Sequence, residues 1–222
     1  MLQKLTIDIV SDIVCPWCVV GYKNLKVAQR FLKKEITLEI NWRPYQLHPE
    51  IPPEGIDKKL FFKNKNHFNS PPRDNSKHLI KEGLNHGFIF NFKKPKLVPN
   101  TLQSHRLIEL TKDLELKSNL AESLFTHHFT HGTNISSKEE LFKIAKEIGI
   151  EQSLLDKFMN TDDGLETVIK EERSYRERDI SGVPTFIIND QYLLQGAQHH
   201  ETVLSFLRRI KIKVENKNRE FN

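Results

Sequence analysis

The chain has 222 residues, 37% of them hydrophobic and 28% charged, with a net charge of +5. That apolar content supports a packed core, in one large domain or a domain carrying an insertion, and excludes wholesale disorder. No stretch approaches the roughly eighteen consecutive apolar residues of a membrane span, and the basic residues are scattered in pairs without a nucleic-acid motif, so the charge reads as a solvated surface.

Leu5-Thr6-Ile7-Asp8-Ile9-Val10 alternates like a half-buried strand. A lone Lys4 and an acid at Asp8 make this a poor secretory signal, and the expected location is cytoplasmic. Next comes Ser11-Asp12-Ile13-Val14-Cys15-Pro16-Trp17-Cys18, which holds both cysteines of the chain. Residues 16–33 read as a helix ending at the basic pair Lys33-Lys34. Cys15 is therefore placed at a helix N-terminus, where unpaired N–H groups and the helix dipole favour negative charge. Pro16 suits the first helical position because it has no N–H to lose. The thiolate is the reactive form of cysteine. Cys18, one turn on, is placed to resolve mixed disulfides formed at Cys15.

Ile36 to Trp42 alternates as a second strand, and strand, helix, strand implies a parallel βαβ pair. Arg43 to Gly55 is proline-rich and reads as an ordered loop or an extended run. Helical patterns follow at 57–67, 74–86, 101–116, 118–131, 137–148, 151–159 and 162–178. Pro71-Pro72 marks a break and Phe88 to Phe92 a short extended piece. Ser137-x-x-Glu140 is a capping box, Asp162-Asp163 supplies acids to a helix start, and Gly132 is a natural helix end. Pro184 to Ile188 and Gln191 to Leu194 form a hairpin around Asn189-Asp190. A closing helix spans His200 to Ile210, followed by a polar, frayed tail.

Two cysteines in a reducing compartment rarely serve as a structural staple, and a bridge across two residues constrains the unfolded chain little. A redox role is therefore favoured. Cys15 and Cys18 could instead be half of a zinc site, with His127 and His131 as the other half. His127-His128-Phe129-Thr130-His131 lacks a hydrolytic glutamate, so the leading expectation is no metal. His105 reads equally as a residue at the mouth of the thiol site, with Arg106 beside it, or as a structural histidine. Trp17 is either an apolar landing for substrate or a buried interface residue.

The βαβ half, the ββα half and the Cys-Pro-Trp-Cys turn together resemble the thioredoxin plan. The chain is similar, more specifically, to the DsbA family of thiol–disulfide oxidoreductases in its FrnE-like branch. Four stretches carry the resemblance: Ser11 to Cys18, Arg43 to Gly55, Asn100 to Leu107, and Gly182-Val183-Pro184-Thr185-Phe186 through Gly196-Ala197-Gln198. The best-known periplasmic members carry His where this chain has Trp17. The resemblance implies an α/β thioredoxin-like fold with an inserted all-helical domain. The thioredoxin-like part is expected at 1–55 and 179–212, the insert at 56–178, and a flexible basic tail at 213–222. It also implies that Pro184 is cis and lies against the cysteines, and that the backbone of Val183 receives an extended substrate.

On this reading the chain exchanges disulfides with protein thiols or small thiols. Cys15 and Cys18 are catalytic, and Val183, Pro184, Trp17 and His105 bind substrate. No cofactor is expected beyond redox partner thiols such as glutathione, and no nucleic acid or membrane partner. The alternative is a glutathione-dependent small-molecule enzyme. It would resemble the 2-hydroxychromene-2-carboxylate isomerases, the kappa-class transferases or a polyketide tailoring enzyme. The isomerases and transferases use a serine near the position of Cys15, and both cysteines weigh against that reading.

Overall fold

The computed structural model describes residues 2–65 and 75–220. In chain order the elements are β1 (Gln3–Ser11), α1 (Pro16–Leu32), β2 (Ile36–Pro44), β3 (Ile56–Asp57), α2 (Lys58–Lys65) and α3 (Ser76–Asn85). They continue with β4 (Leu97–Val98), α4 (Leu102–Leu110), α5 (Leu114–Thr126), a π-helical turn (His127–His131), α6 (Lys138–Glu147) and α7 (Gln152–Asn160). The last are α8 (Leu165–Glu177), β5 (Thr185–Ile188), β6 (Tyr192–Gln195) and α9 (His200–Glu220).

The main sheet has the order β2-β1-β5-β6, with β1 parallel to β2 and antiparallel to β5, and β5 antiparallel to β6. This is the thioredoxin-like arrangement of an α/β fold. β1 is central, so both of its faces are covered. Leu5, Ile7 and Ile9 join the core with Leu25, Ala28 and Leu32 of α1 and Leu207 and Ile210 of α9. Val10 packs on the other face with Ile187, Tyr45, Tyr175 and Ile180. At the hairpin, Asn189 and Asp190 both take positive φ, 50° and 54°, as a tight turn matched to strand twist requires. The Asn189 side chain accepts the Thr6 N–H at 2.9 Å and ties that turn to β1.

Between β2 and β5 the chain is mostly helical, and several boundaries differ from the sequence pattern. The expected helix over 101–116 breaks after Leu110. Thr111 folds its hydroxyl back onto the Leu107 carbonyl at 3.0 Å, and Asp113 caps a new helix by accepting the Leu116 N–H at 2.8 Å. The expected helix over 118–131 widens into the π turn and stops at Gly132, whose φ is 77°. Residues 88–92 join no ladder; Asn91 N–H instead donates to the Phe129 carbonyl at 2.9 Å. α8 starts at Leu165 rather than at 162, behind Gly164 at φ 84°. Ser137 caps α6 by accepting the Glu140 N–H at 3.2 Å. The expected ends at 67 and 74, and the Pro71-Pro72 break, lie outside the described residues.

The closing helix does not stop at Ile210. α9 runs to Glu220, so the expected flexible tail from 213 is helical as far as that residue. Its continuation has partners: Val214 packs against the core, and the Lys213 ammonium lies 5.5 Å from the Tyr192 ring centre. Lys211 pairs with Glu215 one turn on, at 3.6 Å. Among the described residues no helix is long and apolar enough to cross a membrane.

Candidate active site

β1 ends at Ser11 and α1 begins at Pro16, so the intervening turn sits at the end of the central strand. Asp12 to Cys15 closes that turn, with the Cys15 N–H donating to the Asp12 carbonyl at 3.0 Å. Cys15 is the N-cap of α1, with extended φ and ψ of −89° and 110°, and Pro16 occupies the first helical position. Cys18 lies in the first turn, its N–H donating to the Cys15 carbonyl at 3.1 Å. Both thiols are free. Cys15 retains 4% of its exposure and Cys18 none, so an incoming reagent meets Cys15 first.

Burial pushes the Cys18 thiol well above its ordinary pKa; the Cys15 side chain adds to this by hydrogen bond and by charge. The Ser11 hydroxyl beside it, which forms no well-made hydrogen bond of its own, and the Asp12 backbone pull the other way. Cys15 Sγ donates to the Val183 carbonyl at 3.6 Å, across 168 residues of sequence. The Val183–Pro184 peptide bond is cis. The loop reaches the cysteines because α1 carries a glycine there. A Cβ at Gly21 would lie 2.9 Å from Pro184 Cγ. The structure thus brings Cys15, Cys18, Val183 and Pro184 together.

Trp17 is half-buried, its ring centre 5.6 Å from that of His78 on α3. It is neither a free landing nor a filled core position. His105 and Arg106 part company. His105 is buried beneath the turn with Nε2 3.3 Å from Asp12 Oδ1, at an angle outside hydrogen-bond geometry. Arg106 donates to the carbonyls of Asp163, Phe158 and Thr161 and holds the chain between α7 and α8. It does not stand at the mouth of the site.

Asp12 is the site residue that sequence reasoning quoted without giving it a role. It is fully buried, and its Oδ2 accepts the Leu47 N–H at 2.7 Å. The available signal was an acid three residues before Cys15, in a segment that must be buried to start α1 at the sheet. The loop after β2 is held there by α8. Glu172 accepts the Gln46 N–H at 3.1 Å and its side-chain amide at 2.9 Å. Arg176 donates to the Gln46 carbonyl at 2.6 Å and lies 4.2 Å from the Tyr45 ring centre. His127 and His131 face each other at 5.4 Å, with His127 turned to Glu147 at 3.4 Å. Among the described residues no three His, Cys, Asp or Glu side chains gather as a metal site.

Comparison with known proteins agrees with this architecture. The family model described as DSBA-like thioredoxin domain matches residues 6–208. YwbO of Bacillus subtilis (strain 168), an uncharacterized protein, is 28% identical over 195 residues, 83% of this chain and 86% of that one. The crystal structure of the probable DsbA oxidoreductase SCO1869 from Streptomyces coelicolor superposes with a TM-score of 0.81. It has 21% identity and covers 92% of this chain and 89% of its own. A 2-hydroxychromene-2-carboxylate isomerase superposes with a TM-score of 0.65 at 15% identity, covering 98% of this chain and 99% of its own.

Proposed function

The chain belongs to the DSBA-like thioredoxin domain family, and from that premise we propose that it is a thiol–disulfide oxidoreductase working through Cys15 and Cys18. The observation that carries this reading is the pair itself: Cys15 caps α1 beneath the Val183 carbonyl, and Cys18 is buried one turn on. Cys15 as thiolate attacks one sulfur of a substrate disulfide; a mixed disulfide forms and the other substrate sulfur leaves as thiolate. Cys18 then attacks the Cys15 sulfur, its proton passing to the second departing thiolate. The substrate is reduced by two electrons, the Cys15–Cys18 pair is oxidised by two, and the reverse sequence oxidises a dithiol.

The raised Cys18 suits this order. Burial keeps it protonated, so it does not compete as first nucleophile. The part of the rise contributed by the Cys15 hydrogen bond and charge disappears once Cys15 sulfur is engaged. Cys18 is thus easier to deprotonate at the step that uses it.

Val183 and Pro184 receive the substrate backbone beside Cys15, and Trp17 offers an apolar edge. His105, being buried, acts through Asp12 and positions the turn. Thiols such as glutathione serve as redox partners, in a thiol-rich setting such as the cytoplasm. The isomerase likeness shows a shared fold, and the cysteine at position 15 favours exchange over isomerisation.

The test is a titration of the pair against glutathione redox buffers, with each state trapped by alkylation and weighed by mass spectrometry. The expected result is one two-electron transition between roughly −120 and −270 mV, the span of known exchangers. Cys15→Ser abolishes it, and Cys18→Ser accumulates a glutathione adduct on Cys15. A pair that stays reduced in oxidising buffer overturns the reading.

A further inference from the structure

Beside the thiol turn lies a cavity of about 260 Å³. Val14 and Pro16, the neighbours of Cys15 on either side, form one wall. Phe61, Phe92, Phe129 and Val98 form much of the rest. Lys58, His48 and His128 are the polar side chains of an otherwise apolar lining. Lys58 lines it with its ammonium donating to the Phe92 carbonyl, leaving further N–H groups to give. His128 lines it too, 6% exposed, with its Nδ1 buried and unpartnered.

Lys58 is the one lysine or arginine among the described lining residues, while His48 in the same lining stands 3.3 Å from the Glu50 carboxylate. Among the described residues no carboxylate lines the cavity itself. Burial and the neighbouring Lys96 both press the Lys58 ammonium toward its neutral form, so it gains from an anion. The aromatic walls favour a flat ring.

We infer that this cavity is a recognition site for a small aromatic carboxylate. The ring lies among the phenylalanines and the carboxylate meets Lys58. The inference rests on the exchange reaction proposed above and narrows its substrate class to small aryl thiols and disulfides bearing an anionic group. For such a disulfide, Cys15 thiolate bonds to one sulfur and one aryl thiolate leaves. Cys18 then closes the Cys15–Cys18 bond, and the second aryl group leaves as its thiol.

Two measurements on the full chain separate this inference from the exchange reading. The first needs no thiol chemistry: calorimetric binding of 2-naphthoate to the reduced protein, against 2-naphthylmethanol as neutral control. Naphthoate is expected to bind, with Lys58→Met weakening it about ten-fold, the size of one lost charge-assisted contact. The second is the rate of Cys15 oxidation by 5,5′-dithiobis(2-nitrobenzoate), an anionic aryl disulfide, relative to neutral 4,4′-dithiodipyridine. Lys58→Met lowers that ratio about ten-fold, and Val98→Phe, which fills the cavity from β4, slows both aryl reagents relative to bis(2-hydroxyethyl) disulfide. The circular dichroism melt of each variant establishes that it folds. If naphthoate does not bind and the ratio does not move while hydroxyethyl disulfide still reacts, the cavity inference is wrong and the exchange reading stands. If naphthoate binds and no disulfide reacts, the exchange reading is wrong. A phenylalanine-containing peptide disulfide gaining as much as the anionic aryl reagent would also overturn the small-molecule assignment.

Discussion

His128 is held neutral by the fold. Burial is the main cause, Lys58 adds to it, Asp12 opposes it, and the imidazole pKa falls from 6.5 to about 4. The unfolded chain therefore binds this proton more readily than the folded one between those values. Stability contributed by the neutral imidazole is present above pH 6.5 and is lost as pH falls toward 4. Between pH 7 and pH 4.5 the loss is about 2–3 kcal/mol from this residue. Urea unfolding at the two pH values checks it: His128→Phe should lose that share of the pH dependence. An unchanged slope would mean that the histidine is solvated. The sequence showed the histidines, but not that His127 and His131 turn to one side while His128 alone lines the cavity. The turn at Cys15 and Cys18 was legible because a strand followed by a proline-led helix start is a local signal; the place of Pro184 beside it came only through the family resemblance. Asp12 and His105 were not, because their contact joins residues 93 positions apart in sequence.

At the level of elements, α1 is shaped by what it must let near. A glycine in a helix interior costs about 1 kcal/mol relative to alanine, yet Gly21 sits there because Pro184 and Phe186 press on it. Gly21→Ala should destabilise the protein by up to about 2 kcal/mol net, since overpacking of roughly 1–3 kcal/mol is set against the gain in helix propensity. Thermal melts of the variant would decide; a stabilised protein would show that the loop is free to retreat. The four strands of the main sheet and α1 followed their periodicity closely, since alternation and a proline-led start are local signals; the two-residue pair β3 and β4 was not read. The break between α4 and α5 did not, because Thr111 and Asp113 end and start helices through hydrogen bonds that a periodic pattern does not register. The π turn is equally silent in sequence. Its Phe129 carbonyl is taken by Asn91, and the backbone of Lys94 would lie 2.7 Å from a Cβ at Gly132.

Across the whole molecule, the sheet is assembled from the two ends of the chain. β1 pairs with β2 on one side and with β5, more than 170 residues later, on the other. α9 then closes the core through Val203, Leu207 and Ile210. A fragment of residues 1–178 keeps the cysteines and most helices but leaves the central strand half-paired and its core open. It should show no cooperative thermal transition by circular dichroism; a sharp melt would mean that the helical segment carries the fold alone. The overall plan was legible because both ends of the chain announce strands. The reach of α9 past Ile210 was not, because its polar sequence is held by Tyr192 and by the core beneath Val214, neither of which is near it in sequence.

That arrangement also sets a timetable. The ribosome delivers Cys18 about 170 residues before Thr185, roughly ten to thirty seconds at ordinary elongation rates. Throughout that interval the nascent thiols lack the carbonyl of Val183 and the covering of the closing strands. A newly made chain thus spends its first moments as an ordinary exposed dithiol, and its protection then is the chemistry of the surrounding solution. Arming of the site is one of the last events of its synthesis.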